Sequence, residues 1–574
     1  MSSLSWIRRQ HGGTWLILLT LALFGAWGWW SLGRPVALPD APSGRIACVS
    51  YAPFRLPGET PLDVHAFISP QRIDEDLQAL SQRFDCVRTY SQGQGLSAVP
   101  EIAQRHGMQV LLGIWLGRDR QANAEQIRLG IATARKYPQV LRGVIVGNEV
   151  LLRGELSPQA LGGYLREVRE AIDTPVTYAD VWEFWLRHPE LAGSVDYLTI
   201  HILPYWEDHP VAPEHALRHV ADVYARVRAA FPGREVMIGE TGWPSAGRPR
   251  QAAVASVVNE ARYLRGFLGY AAEVHLPYNV IEAFDQPWKR AQEGTVGGYW
   301  GIFDVHARPK FALSGPVVEE PRWWLGWLAG LLGGALFVLV GARARRWHGA
   351  RGWVGLGLLG FAGGAALAWQ GRQLAFAARD GWEWTVSLTA CAAALGTALL
   401  LARAIAAQLA GMTNAAREPS RLESVPQQHL PRSVAVGAAS AALLVPGTMP
   451  EGATGARSGT FGAWLHVGWL FAMAFYGLLL VFDGRYRDFP LGLFALPCVG
   501  YALLGGLTAR HPVQPLLEAR FLAAWLPVLA ALVLIHEAGL TTAAWLWLAL
   551  NIALAWPVLH AWWRSWRHLR PEQA

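Results

Sequence analysis

The spacing of apolar and polar positions divides this chain into two parts. Between about residues 45 and 315, short apolar runs alternate with longer amphipathic segments, a pattern typical of strands alternating with helices. From Trp323 onward the apolar runs are long and carry few charges, which predicts helices that span a membrane. A chain of 574 residues is also too long for a single hydrophobic core, so at least two domains are expected.

Eight of the short runs are predicted strands, and a serine followed by proline at Ser69 and Ser157 marks the start of two helices. The strands are predicted at 46–51, 86–90, 109–115, 143–147, 175–179, 197–201, 235–239 and 278–284. Helices are predicted at 69–83, 123–137, 157–172, 213–230 and 251–270. Eight strand–helix units predict an α/β fold, the (β/α)8 TIM barrel. A doubly wound open sheet is the alternative, but no Gly-rich phosphate loop follows the first strand.

The apolar stretch at 14–32 follows Arg8 and Arg9 and is long enough to cross a bilayer. A cleaved signal peptide is the alternative, but the length and the lack of a small-x-small site before Arg34 favour an uncleaved anchor. The predicted domains are a transmembrane anchor (1–33), a linker (34–44), the barrel (45–315), a second linker (316–322) and an all-α polytopic membrane domain (323–574). About seven transmembrane helices are expected in the last domain, at 323–341, 353–370, 384–404, 461–482, 489–507, 521–536 and 541–563.

Arginines cluster near 343–351, 510–520 and 564–570. If all three clusters are cytoplasmic, eight spans place both termini inside and the barrel on the other side of the membrane. The apolar segment 434–445 is rich in Ala and Ser, and we interpret it as part of a mostly irregular cytoplasmic loop at 405–460. Were it a span, every later loop would change sides.

Charge and cysteines change the picture little. Residues 321–574 carry a net charge of +9 and residues 1–320 a net charge of −2, so the basic balance belongs to the membrane half and no nucleic-acid partner is expected. Cys48 and Cys86 lie on neighbouring predicted strands, where two buried free thiols are expected and a disulfide is the alternative. Cys391 and Cys498 fall in predicted spans. No Cys/His spacing suggests a metal site, and no cofactor is expected.

Two glutamates, Glu149 and Glu240, each follow an apolar strand-like run. Their strands are the predicted fourth and seventh, so both side chains should face one cleft at the carboxyl ends of the barrel strands. A pair of carboxylates placed in this way is what glycoside cleavage requires. The other interpretation of a single such glutamate, a salt-bridged structural carboxylate, is weakened by the second.

Other strand ends and the loops after them supply aromatic and hydrogen-bonding side chains that suit a sugar-binding cleft, because rings stack on the apolar faces of sugars. For any single tryptophan, core packing is the equal alternative. The strand-end residues are Tyr51, Arg88, Tyr90, Trp115, Asp180, Trp182, His201, Glu282 and Asp285. Tryptophans on the following loops are Trp182, Trp185, Trp206 and Trp288, which would suit acceptor sites for a sugar.

Three segments resemble glycoside hydrolase family 17, the β-1,3-glucanases and β-1,3-glucanosyltransferases. They are Val146-Gly147-Asn148-Glu149-Val150, the run from Ile238 to Ser245 that contains Glu240 and Trp243, and the run from Phe284 to Lys289 followed by Trp300-Gly301-Ile302-Phe303-Asp304. The resemblance covers roughly 45–315. It implies a retaining mechanism with Glu149 as acid/base, Glu240 as nucleophile, and Asn148 bound to the sugar 2-hydroxyl.

Two positions depart from the plant-type members of that family. After the sixth strand, His201 stands where those enzymes have asparagine and Leu203 where they have a tyrosine close to the nucleophile, and Gln286 stands where they have glutamate. His201 or Tyr205 could replace the lost support of Glu240, and a purely structural His201 is the alternative. These departures, with the membrane segments, resemble the bacterial branch of the family, which implies an inner-membrane protein with a periplasmic catalytic domain.

The resemblance implies a β-glucan oligo- or polysaccharide as substrate, and the apolar helices imply a lipid bilayer as partner. Transfer of glucan chains is favoured, with endo-hydrolysis as the alternative. A third possibility is a component of a glucan synthesis or export system, acting beside a synthase partner. The cytoplasmic loop at 405–460 is far too short for a nucleotide-sugar domain, so this chain alone is not expected to polymerise. His466 and Asn551 inside predicted spans could line a path or pack between helices.

Overall fold

A computed structural model describes residues 2–343, 349–417, 453–482, 484–508 and 515–568. The chain separates into two compact units, one made of Pro35–Glu319 and the other of Met1–Arg34 together with Glu320–Ala574. Helix α1 (Ser2–Leu32) therefore belongs to the same unit as the C-terminal helices. Segment 434–445 lies outside the described residues.

Seven parallel strands form one sheet in chain order, which fits a (β/α)8 domain. The strands are β1 (Val49–Ser50), β2 (Cys86–Arg88), β3 (Gln109–Ile114), β4 (Leu141–Asn148), β5 (Val176–Val181), β6 (Leu198–His201) and β7 (Val236–Glu240). Parallel bridges from Tyr278 to Ile238 and from Val280 to Val49 connect β7 with β1, so the sheet curls round on itself.

The predicted eighth strand at 278–284 is not continuous. Its first half pairs with the neighbouring strands, but the Glu282 N–H then donates to Trp300 O at 3.0 Å and the Ile302 N–H donates to Glu282 O at 2.8 Å. From Glu282 onward the segment pairs with the closing loop as well, while the Ala283 N–H still donates to Ser50 O of β1 at 2.9 Å. The linkers predicted at 34–44 and 316–322 are also ordered in part, since Val36 and Val317 pair antiparallel.

Eight α-helices of the described chain belong to this unit. They are α2 (Pro70–Ser81), α3 (Val99–Arg105), α4 (Arg120–Lys136), α5 (Pro158–Ala171), α6 (Trp182–Arg187), α7 (Ala216–Ala230), α8 (Val257–Glu273) and α9 (Arg290–Glu293). Ser69 and Ser157 cap α2 and α5 as predicted, each accepting from a backbone N–H three residues ahead. Helix α4 begins three residues earlier than predicted because Asp119 caps it.

The cysteine prediction was wrong. Cys48 and Cys86 form a disulfide with their Cα atoms 4.3 Å apart, instead of two free thiols. Cys48 directly precedes β1 and Cys86 begins β2, and the parallel pairing of Val49 with Val87 brings the two side chains together on the same face. Sequence spacing alone could not fix that register.

In the second unit, all seven runs predicted after Trp323 are helices: α10 (Trp324–Arg343), α11 (Gly349–Ala377), α12 (Gly381–Arg417), α13 (Ala453–Phe482), α14 (Leu491–Thr508), α15 (Leu517–His536) and α16 (Thr542–His568). Within the loop predicted at 405–460, residues 405–417 belong to α12 and residues 453–460 to α13. By length and composition, seven helices of the described chain, α1 included, could cross a membrane, and α14 has a shorter apolar stretch.

Side chains connect the helices of this unit at several points. The indole N–H of Trp29 in α1 donates to Ala365 O at 3.0 Å, and that of Trp327 donates to Ala26 O at 2.8 Å. Gly333 and Gly360 let α10 and α11 touch, since a Cβ on Gly333 would lie 2.3 Å from Gly360 O. His466 Nε2 donates to Leu554 O at 3.0 Å, which links α13 with α16 and gives this buried histidine a packing role.

Candidate active site

Four of the predicted site residues end strands of the same sheet. Arg88 ends β2, Asn148 ends β4, His201 ends β6 and Glu240 ends β7. Because the strands are parallel, their carboxyl ends share one edge of the sheet. Hydrogen bonds across the curled sheet then connect residues that lie up to 152 positions apart in the chain.

Glu240 is almost fully buried, and one of its carboxylate oxygens accepts hydrogen bonds from a guanidinium and from a hydroxyl. Its Oε1 accepts from the Arg88 guanidinium at 3.0 Å and from the Tyr90 hydroxyl at 2.9 Å. Burial alone would raise the pKa of Glu240, but His201, Arg88, Tyr90 and Lys289 together lower it below the usual range. The carboxylate is therefore held ionised.

Glu149 has a different setting on a turn directly after β4. Gly147 and Glu149 both adopt positive φ angles, +84° and +51°, and the register between β4 and β5 shifts after Ile145. A glutamate at positive φ is uncommon, and such positions concentrate at functional sites. The Glu149 N–H donates to Ala179 O at 2.8 Å and its carboxylate Oε1 lies 2.8 Å from His201 Nδ1, while about a fifth of the side chain stays open to solvent.

Asp180 stabilises the turn that carries Glu149. Its Oδ2 accepts from the N–H groups of Leu151 and Leu152 at 3.2 and 3.4 Å and from the Tyr178 hydroxyl. Burial raises the pKa of Asp180 to about 6, against the opposing effect of the Tyr178 hydrogen bond. Asp180 is predicted from the sequence as a sugar-binding residue, but in the structure its carboxylate is fully buried and accepts from protein donors, so it supports the turn.

The two glutamates lie close together. One carboxylate oxygen of each and a ring nitrogen of His201 all fall within 4.8 Å of one another. Retaining glycosidases place their carboxyl groups about 5–5.5 Å apart, and inverting enzymes need about 6.5–9.5 Å. These three side chains could also offer ligands to a metal ion, but the Arg88 guanidinium against Glu240 supplies the positive charge that a cation would bring.

A second cationic group stands beside the pair. Lys289 Nζ donates to Glu282 Oε1 at 2.8 Å, and its charge also acts on Glu240 and Glu293. Burial raises the pKa of Glu282 to about 7, although Lys289 opposes the shift. From the sequence, Glu282 was predicted only as a strand-end residue, and Glu293 was not predicted at all. Lys289 and Glu293 are four residues apart, and this spacing is the signal that could have suggested Glu293.

Three predicted cleft residues turn away from the site. The Tyr51 hydroxyl donates to Asp76 Oδ2 at 3.0 Å, the Tyr205 hydroxyl donates to Arg248 O, and the Trp243 indole donates to Val254 O at 2.9 Å. All three side chains are buried. These contacts are structural, because strand and loop positions alternate between the cleft and the core.

Asp285 is also structural. It is buried, accepts from the Gly301 N–H at 3.0 Å and pairs with Lys310 Nζ at 3.0 Å. Lys310 in turn reaches Glu260 Oε2 at 3.2 Å and the Ser245 hydroxyl at 2.6 Å. Burial raises the pKa of Asp285 to about 6 in spite of Lys310. This buried cluster fastens the loop after β7 to α8 and to the closing loop.

The remaining predicted tryptophans differ in exposure. Trp115 is 37% exposed and stacks under the Arg153 guanidinium at 4.3 Å. Trp288 is half-buried, with its indole donating to Gln286 Oε1 at 2.7 Å, and Trp182 is mostly buried, with its indole 3.3 Å from Glu207 Oε1. Trp115 and Trp288 keep open ring surface, so their contact with sugar stays a prediction.

The residues that support the two glutamates differ from those considered in the sequence. Tyr90, which comes two residues after β2, provides the hydroxyl next to Glu240. Tyr205 does not take that place, and His201 contacts Glu149 more closely than Glu240. Asn148 is oriented by Arg88, whose Nη2 donates to its Oδ1.

The region that carries the candidate active site is similar to known proteins. Residues 48–301 match the family model of the BtgE/BtgC glycoside hydrolase domain. Over these residues the chain is similar to that glycoside hydrolase domain, and the predicted resemblance is confirmed there.

Among curated proteins, the chain is similar to the probable beta-glucosidase btgE of Aspergillus fumigatus, 27% identical over 232 residues, which are 39% of this chain and 40% of that protein. It is also similar to the glucan 1,3-beta-glucosidase of Arthroderma benhamiae, 26% identical over 255 residues, 42% of this chain and 82% of that protein. The chain thus spans about 40% of the length of the first of these relatives. A crystal structure of a glycoside hydrolase family 17 beta-1,3-glucanosyltransferase from Rhizomucor miehei is 27% identical, covers 46% of this chain and 95% of that chain, and has a TM-score of 0.41.

Proposed function

We propose that this chain is a retaining β-1,3-glucan-active enzyme that transfers glucan segments through a covalent glycosyl-enzyme. The observation that carries the proposal is the pair Glu149 and Glu240, whose oxygens lie within 4.8 Å at the shared edge of the sheet. The different surroundings of the two carboxylates fit two different roles. Metal and organic cofactors have no part in the proposed reaction.

In the first step, Glu240 attacks the anomeric carbon while Glu149 gives its proton to the leaving glycosidic oxygen. The bond from the anomeric carbon to that oxygen breaks as the ester with Glu240 forms. Arg88, Tyr90 and Lys289 favour the ionised nucleophile that this attack needs. In the second step, Glu149 takes a proton from the incoming hydroxyl, and the new glycosidic bond replaces the ester.

Asn148 is proposed to bind the 2-hydroxyl of the sugar at the reacting carbon. With its Oδ1 accepting from Arg88, the Nδ2 group is the one that can donate to a substrate oxygen. The same guanidinium holds Glu240, so one arginine fixes the nucleophile and the group that orients the sugar. The geometry would keep both in register during the reaction.

The acceptor in the second step is either a sugar or water. Sugar is favoured because Trp115 and Trp288 follow strand ends and are partly exposed, so an acceptor could contact them. Hydrolysis is the second candidate, and the similarity to the glucan 1,3-beta-glucosidase of Arthroderma benhamiae supports it. Action as the glucan-remodelling partner of a synthesis or export system would use the same chemistry.

We further propose that the protein lies in a bacterial inner membrane with the glycoside hydrolase domain on the periplasmic side. Seven apolar helices of suitable length support the membrane location. The disulfide between Cys48 and Cys86 supports the side, since disulfides persist in the periplasm and are rare in the cytosol.

The test is product analysis by mass spectrometry after incubating the full-length protein in detergent with β-1,3-gluco-oligosaccharides of one length. Products longer than the substrate are expected, and they would establish transfer. Shorter products alone at high substrate concentration would make the enzyme a hydrolase. Glu240→Gln should abolish turnover, whereas Glu235→Gln, at the opposite end of β7 and exposed, should leave it unchanged. Equal turnover in both variants would overturn the proposal.

A further inference from the structure

His201 lies between the two glutamates and is itself inaccessible to solvent. Its Nδ1 is 2.8 Å from Glu149 Oε1 and 3.8 Å from Glu240 Oε2. Only the shorter distance is that of a hydrogen bond. The ring is fixed by its neighbours, because Gly239 packs so close that a Cβ there would lie 3.2 Å from the ring. His201 therefore has one position, and in that position it serves Glu149.

The two ring nitrogens have different surroundings. Nε2 is buried and has no hydrogen-bond partner among the residues that the structure describes. Nδ1 faces a carboxyl oxygen of Glu149, and such an oxygen accepts hydrogen bonds. We therefore assign a proton to Nδ1, so that Nδ1–H donates to Glu149 Oε1.

From this geometry we propose that His201 is a positioning residue for the acid/base group, Glu149. The proposal rests on the proposed function, in which Glu149 protonates the leaving oxygen. With Oε1 engaged by His201, the proton of Glu149 is confined to Oε2, which can face the leaving group. When that proton moves to the leaving oxygen, the Nδ1–H bond becomes a bond to a carboxylate, and such bonds are roughly twice as strong.

The surroundings of Glu240 explain why His201 is not assigned to the nucleophile. Glu240 already has Arg88 and Tyr90 on Oε1. Glu149 has no such cation on its own turn, since the nearby Arg153 is paired with Glu155 at 2.8 Å and donates to backbone carbonyls. In the described structure, His201 is the side chain that donates to the Glu149 carboxylate.

The experiment separates acid catalysis from other effects by the leaving group. The full-length protein in detergent is assayed with two aryl β-laminaribiosides, one with 2,4-dinitrophenolate, which leaves without a proton, and one with phenolate, which needs one. His201→Leu and His201→Met fill the site without a donor. We expect each to lower kcat/KM for the phenyl substrate about 10- to 100-fold and for the dinitrophenyl substrate less than about twofold.

Rescue by a donor is the second readout. His201→Asn can donate through its amide, and it should recover most of the phenyl-substrate activity. The matched control is His188, whose Nδ1 also lies near a glutamate oxygen, Glu190 Oε1 at 3.2 Å, but away from the pair. His188→Leu and His188→Asn should leave both substrates unaffected. An equal loss on both substrates in the His201 variants, with no rescue by asparagine, would overturn the proposal.

Glu149→Ala distinguishes failure of this inference from failure of the proposed function. If Glu149→Ala affects the phenyl substrate selectively and the His201 variants do not, the assignment of His201 is wrong and the function stands. If Glu149→Ala itself affects both substrates equally, Glu149 is not the acid, and the proposed function fails together with the inference. Using two non-donating variants keeps the test informative if one of them does not fold.

Discussion

The ends of β4 and β7 carry the same side chain in opposite settings. Glu240 is the last residue of β7, is almost fully buried and faces a guanidinium and a phenol on one oxygen. Glu149 sits past the end of its strand on a left-handed turn, is partly open to solvent and meets a single imidazole. Two identical carboxylates can therefore take the proposed roles of nucleophile and acid because their surroundings differ.

The two glutamates also differ in how strongly their neighbours hold them. Glu240 is a buried, ionised carboxylate, and removing one partner of a buried ion pair typically lowers the stability of the fold by about 3–5 kcal/mol. Its cation is therefore structural as well as functional. Glu149 is held by backbone contacts of its turn and by Asp180, which binds the N–H groups of Leu151 and Leu152 instead of the carboxylate itself. About a fifth of the Glu149 side chain is open to solvent, so its carboxylate does not depend on a buried counter-charge.

The largest expected effect is the loss of turnover when the nucleophile is removed, and added azide can take the place of the missing group. Glu240→Ala should lower kcat about 10⁴-fold or more, because no nucleophile remains. Added azide should then restore turnover by attacking directly, and the product should be the α-azide, since one displacement inverts the centre. Glu149→Ala should instead give the β-azide, formed after the covalent intermediate. Product anomers are read by NMR, and the same anomer from both variants would contradict the division of roles.

The sequence predicted the strand–helix alternation and both glutamates, for a clear physical reason. Strands buried on both faces read as apolar runs, and a polar residue that follows such a run must lie at the strand end. Glu149 and Glu240 could therefore be placed without coordinates. Tyr51 was assigned to the cleft by the same rule and failed it, since a shift of one residue turns a side chain to the other face.

The contacts between strands could not be predicted from the chain alone. Arg88 reaches Glu240 across 152 positions, and His201 at the end of β6 reaches Glu149, which follows β4, across the intervening β5. Such pairs depend on the curvature and register of the sheet, which the hydrophobic pattern leaves undetermined. The disulfide of Cys48 and Cys86 was missed for the same reason, as it needs β1 and β2 in one particular register.

A smaller effect is expected from Tyr90→Phe, which removes one hydrogen bond to the nucleophile. That bond lowers the pKa of Glu240, so its loss should raise the pKa. Because Glu240 acts as the carboxylate, the acidic limb of the profile of kcat/KM against pH should move to higher pH. The matched control is Tyr137→Phe, whose hydroxyl donates to Glu101 at 2.7 Å far from the site, and its profile should match the wild type. An unmoved acidic limb in Tyr90→Phe would contradict this account of Glu240.

The smallest effect on activity is expected from Asp180→Asn, which weakens the turn under Glu149 and leaves Glu240 alone. With one or two hydrogen bonds of about 1 kcal/mol affected, kcat/KM should fall about tenfold or less. Stability gives the sharper test. Burial raises the pKa of Asp180 from 3.8 to about 6, so in the wild type its contribution to stability is lost as the pH rises from about 4 to 6.

The amide in the Asp180→Asn variant does not titrate, so the difference in Tm between this variant and the wild type should change in favour of the variant over that pH range. Asp196→Asn is the matched control, because Asp196 also accepts a backbone N–H, that of Val176 at 2.7 Å, but at the opposite end of β5. A Tm difference independent of pH for Asp180→Asn would mean that burial does not raise the pKa of this carboxyl. The turn under Glu149 would then owe its shape to Gly147 and the β4 register shift alone.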